Sequence, residues 1–150
     1  MTSHLEIRDD LHSRISSRVR PVISKEMQPH YRGLARGQLL LPRCRQCLRF
    51  SFPVGPSCSF CRHVDVDWTD STGDGEVHSW ARYHRAFLEE FEPLVPYVVL
   101  AVRLKEGPVL LGLMASDSIP AIGRSARAVV ERWKDGFCSL VFDLLPEGTA

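Results

Sequence analysis

Four cysteines set the chemistry open to this chain. Cys44 and Cys47 form one Cys-x-x-Cys pair, Cys58 and Cys61 form a second, and ten residues separate the pairs. Each pair makes a knuckle that aims two sulfurs at one point, and two knuckles supply the four thiolates of a tetrahedral zinc site. Pro53, Gly55 and Pro56 lie between them, where the chain must reverse. A redox Cys-x-x-Cys would be single and next to a helix start. Iron shares the four-thiolate spacing because tetrahedral sulfur suits both metals, and zinc is the expected occupant. Protein fills all four positions, so one structural zinc per chain is expected rather than a catalytic one. The fifth cysteine, Cys138, shares a strand face with Leu140, Phe142 and Leu144 and reads as a buried, inert thiol.

Charge is distributed unevenly around these cysteines. Between Met27 and Val64 there is no Asp or Glu, but there are six arginines: Arg32, Arg36, Arg43, Arg45, Arg49 and Arg62. From Asp65 to Ala150, 14 acids stand against 8 bases. Either the two parts neutralise each other in the fold, or the basic part faces an anionic partner. Arg43, Arg45, Arg49 and Arg62 also offset the negative charge that four thiolates leave around a divalent ion.

Other chemistry is sparse. His78 and His84 fall on or beside a strand, and no Ser-His-Asp order, P-loop or dinucleotide fingerprint is visible. Gly73-Asp74-Gly75 is too short and acidic to cradle phosphate. No catalytic residue is assigned, and the chain reads as a binding module that does not catalyse alone.

The elements that position the cysteines follow from patterning. The chain has 150 residues, 44% hydrophobic and 25% charged, enough for a compact domain plus a small module. It has no apolar run of about 18 residues to span a bilayer and no secretory leader, and its cysteines suit a reducing compartment, so a cytoplasmic location without membrane contact is expected. Residues 4–19 pattern as an amphipathic helix capped by Ser3, with Ile7, Leu11, Ile15 and Val19 on one stripe and Pro21 ending it. A short helix is expected between Pro29 and Gly37. Residues 39–64 look short on regular structure. Gly73 and Gly75 mark a turn before a strand at Val77–Tyr83. Val98–Leu104, Val109–Met114, Ala126–Arg132 and Cys138–Leu144 complete five strands. Five strands with turn signals fit an OB-type barrel best. The expected architecture is mainly β: a helical extension over 1–25, a short helix over 26–38, a rubredoxin-like zinc ribbon over 39–66 and a five-stranded OB-fold barrel over 67–150.

The sequence resembles a family of small proteins that join a rubredoxin-like zinc ribbon to an OB fold, long catalogued as domain of unknown function thirty-five. The matching stretches are Tyr31 to Leu39, Arg43 to Cys47, Phe52-Pro53, Cys58 to Cys61, Gly75 to Trp80, His84-Arg85, Val95 to Leu100 and Glu106 to Leu110. Together they cover about residues 26–147. The resemblance implies an accessory subunit of a thiolase-like or other acyl-CoA-processing enzyme. Such a subunit helps assemble the partner's active site and hold a CoA thioester for acyl transfer or retro-aldol cleavage. Arg43, Arg49, Arg62 and Arg85 are then the candidates to meet the phosphates of acyl-CoA, since guanidinium groups pair with phosphate in bidentate fashion. His30 stands where an aromatic residue often precedes Tyr31, and residues 1–25 lie outside the family core. The alternative reading is a nucleic-acid-binding zinc-ribbon/OB module. The acidic barrel half and a whole-chain pI near 7.7 argue against it.

Overall fold

The computed structural model describes residues 3–15 and 19–148. Five of the six strands of its main sheet close a barrel: β4 (Asp74–Tyr83), β5 (Tyr97–Leu104), β6 (Val109–Met114), β7 (Ser125–Arg132) and β8 (Cys138–Leu144). The order runs β7-β4-β5-β6-β8 and closes through β7–β8, with β6–β8 the parallel pair. This is the OB-type barrel that strand count and turn spacing predicted. Alternation fills its interior: Leu100, Val102, Leu110, Val130 and Phe142 are buried. Each such side chain stabilises the fold by about 1.5–3 kcal/mol on burial.

The turn expected at Gly73 and Gly75 divides between two tasks. Gly73 takes a left-handed φ of 77° at the turn. Gly75 lies inside β4, where an added Cβ would run into the Arg103 carbonyl oxygen. The glycine there permits close approach of β4 and β5.

Residues 39–64 hold more structure than their composition suggests. β2 (Leu39–Cys44) pairs antiparallel with β3 (Val66–Ser71), from Leu39↔Ser71 to Cys44↔Val66. Leu39 and Leu41 on β2 enter the same core cluster as Leu100 and Phe142. The base of the cysteine ribbon is thereby packed into the barrel. α1 (Gln28–Ala35) has Pro29 in its first turn and stops before Gly37, whose φ is 73°. The expected short helix is therefore present.

His30 anchors that helix. Its ring is buried, with centroids 4.9 Å from Phe52 and 5.2 Å from Tyr31, and Nδ1 donates to the Leu40 carbonyl at 3.1 Å. It packs among aromatic rings and adds one hydrogen bond. Burial lowers its pKa from the ordinary 6.5. The unfolded chain then binds more protons between the two values, so stability is complete above pH 6.5 and is lost as pH falls toward the folded pKa. Urea midpoints at pH 7.5 and pH 5 should fall further for the parent than for His30→Phe; equal falls in both would count against this.

The amphipathic helix expected over 4–19 is not what the described residues form, and residues 16–18 of that stretch lie outside them. Ile7–Asp9 is a strand, β1, running parallel to β7 in the register Ile7↔Val130, Arg8↔Glu131 and Asp9↔Arg132. Four apolar residues make a marginal helix. β7 offers a better solution, because β4 pairs only with its first half, residues 125–127. β1 fills the edge that β4 leaves. Leu5 and Ile15 are buried, while Val19, the last residue of the supposed stripe, is 62% exposed.

His12 secures this N-terminal strap. Glu131 is fully buried on β7 and accepts the His12 backbone N–H at 2.9 Å through Oε2 and its ring Nδ1–H at 2.8 Å through Oε1. Arg8 adds a bond to Asp143 at 2.9 Å, and Leu5 N–H donates to the Gly37 carbonyl at 2.7 Å. The strap therefore ties the barrel to the end of α1.

Candidate metal centre

The two knuckles repeat one backbone pattern. In the first, Leu48 N–H donates to the Cys44 carbonyl at 3.0 Å, and Cys44 N–H donates to the Arg49 carbonyl at 2.9 Å. In the second, Arg62 N–H donates to the Cys58 carbonyl at 3.0 Å, and Cys58 N–H donates to the His63 carbonyl at 2.7 Å. The residue after each second cysteine is left-handed, with φ of 63° at Leu48 and 68° at Arg62. The repeat turns four side chains inward. Sγ of Cys44 and Cys61 are 3.6 Å apart, those of Cys47 and Cys58 are 3.7 Å apart, and all four lie within 4.8 Å of one another.

These sulfurs are too far apart for disulfides, whose S–S bond is about 2.0 Å. A tetrahedron with metal–sulfur bonds of about 2.3 Å sets its corners about 3.8 Å apart, which the cluster matches. The electrostatics favour a cation. Backbone N–H groups of Cys61 and Phe60 lower the Cys58 thiol to about 6, the latter at 3.4 Å from Sγ. The Arg49 N–H lowers Cys47, but burial and the neighbouring sulfurs outweigh it and leave that thiol at about 11. Four crowded sulfurs do not all ionise without a cation between them, and a metal removes that conflict. Cys44, Cys47, Cys58 and Cys61 are thus a four-cysteine cluster that fits a metal ion. Cys138 is apart from it, buried in the barrel core with its thiol directed to the Gly136 carbonyl at 3.7 Å.

Relatives place this arrangement in a family. A DUF35 domain-containing scaffold protein of Methanocaldococcus jannaschii is 31% identical over 97 residues, 62% of this chain and 67% of that protein. One of Methanothermobacter thermautotrophicus is 31% identical over 113 residues, 70% of this chain and 84% of that protein. The chain belongs to the DUF35 family. The family model described as the ChsH2 C-terminal OB-fold domain matches residues 68–131 of this DUF35 chain, from β3 to β7. Among solved structures it is similar to a chain of the Ltp2-ChsH2(DUF35) aldolase, with a TM-score of 0.75, 27% identity and coverage of 83% of this chain and 98% of that one. A DUF35 protein of unknown function from Sulfolobus solfataricus, at 15% identity and a TM-score of 0.58 over 81% of this chain and 87% of that one, shares the fold.

The four arginines singled out in the sequence are not gathered in one place. Arg43 donates to the Leu48 carbonyl at 2.8 Å and lies over the Phe50 ring, bracing the first knuckle. Arg49 crosses to the second knuckle, its guanidinium 4.7 Å over the Phe60 ring. Arg62 is an exposed side chain on a left-handed backbone. Arg85 follows the far end of β4, opposite the end where Gly75 pairs with Leu104 before the β5–β6 turn. That turn, Glu106 to Pro108, faces the knuckles across a cleft of about 650 Å³, lined also by Arg49, Phe50, Phe52 and Phe60. Among the described residues, Glu106 Oε2 is buried there without a hydrogen-bond partner. The sequence marks Glu106 only through the Glu106-to-Leu110 stretch of the family resemblance, because nothing local shows the register that brings it to the ribbon. Part of the basic surface is neutralised internally, as Arg45 pairs with Asp67 at 2.9 Å. No helix among the described residues is long and apolar enough to cross a membrane.

Proposed function

We propose that this DUF35 chain is the zinc-binding accessory subunit of a thiolase-like, acyl-CoA-processing enzyme, helping to assemble its active site and hold the CoA thioester during acyl transfer or retro-aldol cleavage. The observation that carries this reading is the 27% identity over 98% of the DUF35 chain of an aldolase. The naming of relatives as scaffold proteins points the same way. Zinc held by Cys44, Cys47, Cys58 and Cys61 ties the knuckles together and takes no part in bond-making. The units of this reading are the helix at 26–38, the ribbon at 39–66 and the barrel at 67–150.

The ribbon–barrel cleft supports a role in holding CoA. Coenzyme A presents phosphates and an adenine ring. The cleft offers the Arg49 guanidinium, three phenylalanine rings, and a carboxylate oxygen that takes a hydrogen bond from an amine. Arg49→Ala with Arg62→Ala is expected to weaken acyl-CoA binding or partner activity by about 1–3 kcal/mol per charged hydrogen bond lost, with zinc retained.

The test is isolation of the protein from its native host by gel filtration, followed by acyl-CoA turnover assays on the complex and on the chain alone. The expected result is a complex with a thiolase-like subunit that turns over acyl-CoA, and no turnover by the chain alone. Turnover by the lone chain would overturn the reading. So would a chain that elutes without a partner and binds oligonucleotides with a steep salt dependence.

A further inference from the structure

A second cleft, of about 520 Å³, lies on the barrel away from the ribbon, between the N-terminal strap and the loop that follows β6. The strap supplies Leu11 to Arg14, the end of β4 supplies Arg82, the start of β5 supplies Pro96 to Val98, and the loop supplies Ala115 to Ile119. Its volume falls in the range of about 300–1,000 Å³ typical of small-molecule sites.

The walls are built rather than accidental. His12 is more than nine-tenths buried, and the Glu131 carboxylate fixes its ring and its backbone N–H together. Its Nε2 lies 3.4 Å from the carbonyl of Met114, another wall residue. The opposite loop is pinned by Arg124, which donates to the Ile119 carbonyl at 2.7 Å and to the Leu145 carbonyl at 3.3 Å. Tyr97 is held by stacking on Tyr83, with centroids 5.0 Å apart and planes 9° from parallel.

The lining is divided by chemistry. One part carries the guanidinium groups of Arg14 and Arg82, beside the hydroxyls of Ser13, Ser116 and Ser118. No hydrogen bond or ion pair of either guanidinium is found among the described residues, although this protein pairs Arg8, Arg20, Arg45 and Arg127 with carboxylates. Two guanidinium groups stand against one acid on the rim, Asp117. The rim is therefore positive. The other part is apolar, from Leu94, Pro96, Leu113 and Ile119. Ile119 is 79% exposed, an apolar surface that a ligand lying in the cleft would cover.

We propose that this cleft binds a small amphipathic anion, a carboxylate or phosphate monoester with a short apolar tail. Arg14 and Arg82 hold the head group, and the apolar wall takes the tail. The N-terminal segment, which lies outside residues 68–131 matched by the family model, thereby completes a ligand site that the barrel alone does not have. This inference is independent of the partner reading and of the metal centre.

The probes are hexanoate, hexyl phosphate and, as the neutral control, hexanol, titrated at low ionic strength into the full chain while side-chain resonances of His12 and Tyr97 are followed by NMR. Saturable shifts are expected with one or both anions, at least tenfold tighter than with hexanol. The ratio of the two anion affinities identifies the preferred head group. The variant Arg14→Ala/Arg82→Ala changes two exposed residues and should retain its folded spectrum and metal while losing at least tenfold in anion affinity. The proposal is overturned if neither anion gives saturable shifts, if hexanol binds as tightly as the anions, or if the double variant binds them unchanged.

Discussion

Replacing Cys44 or Cys61 with Ser is expected to abolish metal binding and release the ribbon, while Cys138→Ser leaves both intact. The zinc content of freshly purified, reduced parent protein should be about one per chain, as four-thiolate coordination requires. The effect is large because metal binding is folding energy in such a site, about 10–16 kcal/mol in isolated zinc-finger peptides near neutral pH. Phe50 and Phe52 pack against the core, but beyond them the hydrogen bonds of the second knuckle are few and Phe60 is 54% exposed, so little else holds residues 53–64 in place. β2 and β3 have their own ladder and a core contribution through Leu39 and Leu41, so the barrel should remain folded. Elemental analysis combined with limited proteolysis separates these outcomes. The expected pattern is zinc loss with cleavage confined between the knuckles. Full zinc occupancy in Cys44→Ser would refute the assignment, and zinc loss in Cys138→Ser would place the site elsewhere.

Glu131→Ala is expected to cost about 2–6 kcal/mol of stability, about 1–3 for each of two buried donors left without this acceptor. The carboxylate accepts two hydrogen bonds from His12, and its loss leaves a buried imidazole and a buried N–H without that acceptor. Glu131→Gln keeps an acceptor and the shape, and should cost less, about 1–3 kcal/mol. Hydrogen exchange gives the second readout. Val130 N–H donates to the Glu6 carbonyl and Asp10 N–H to the Arg132 carbonyl, so both amides should lose protection in Glu131→Ala before those of β5 do. A Glu131→Ala protein within 0.5 kcal/mol of the parent, with unchanged exchange at these amides, would show that the pair does not hold the strap.

The sequence revealed what depends on local rules. Cys-x-x-Cys spacing, alternation in β5 to β8 and the Pro29–Gly37 frame around α1 each encode their outcome within a dozen residues. The N-terminal strap was misread because Ile7, Leu11, Ile15 and Val19 satisfy a helical period, whereas its conformation is decided by a vacant half-edge on β7 more than 100 residues away. The β2–β3 pair escaped for a similar reason. Its partners lie across the whole ribbon, and Pro42 in β2 and the charged residues Asp67 and Asp70 in β3 mask the strand pattern. The cysteine cluster was legible in full, while its flanking arginines were not. Their identity says nothing of whether they brace a knuckle, as Arg43 does, or face a cleft, as Arg49 does. Glu131 reads as one more surface acid between Val130 and Arg132, and only tertiary placement shows it to be buried.

The strap's three-residue pairing with β7 also bears on how the protein behaves in concentrated solution. An edge closed by a separate piece of chain is closed equally well by the same piece from another molecule, because the hydrogen bonds and the Glu131 acceptor are identical in both cases. Arg20, Pro21 and Val22 are exposed on the way to α1, with Val22 wholly so. Domain exchange of this kind would be favoured by concentration and by slow release from denaturant, and opposed by the Arg20–Asp135 ion pair that ties the arm to its own barrel. Shortening the arm has the opposite hazard. It leaves half of β7 as a bare strand edge, open to association with any passing strand.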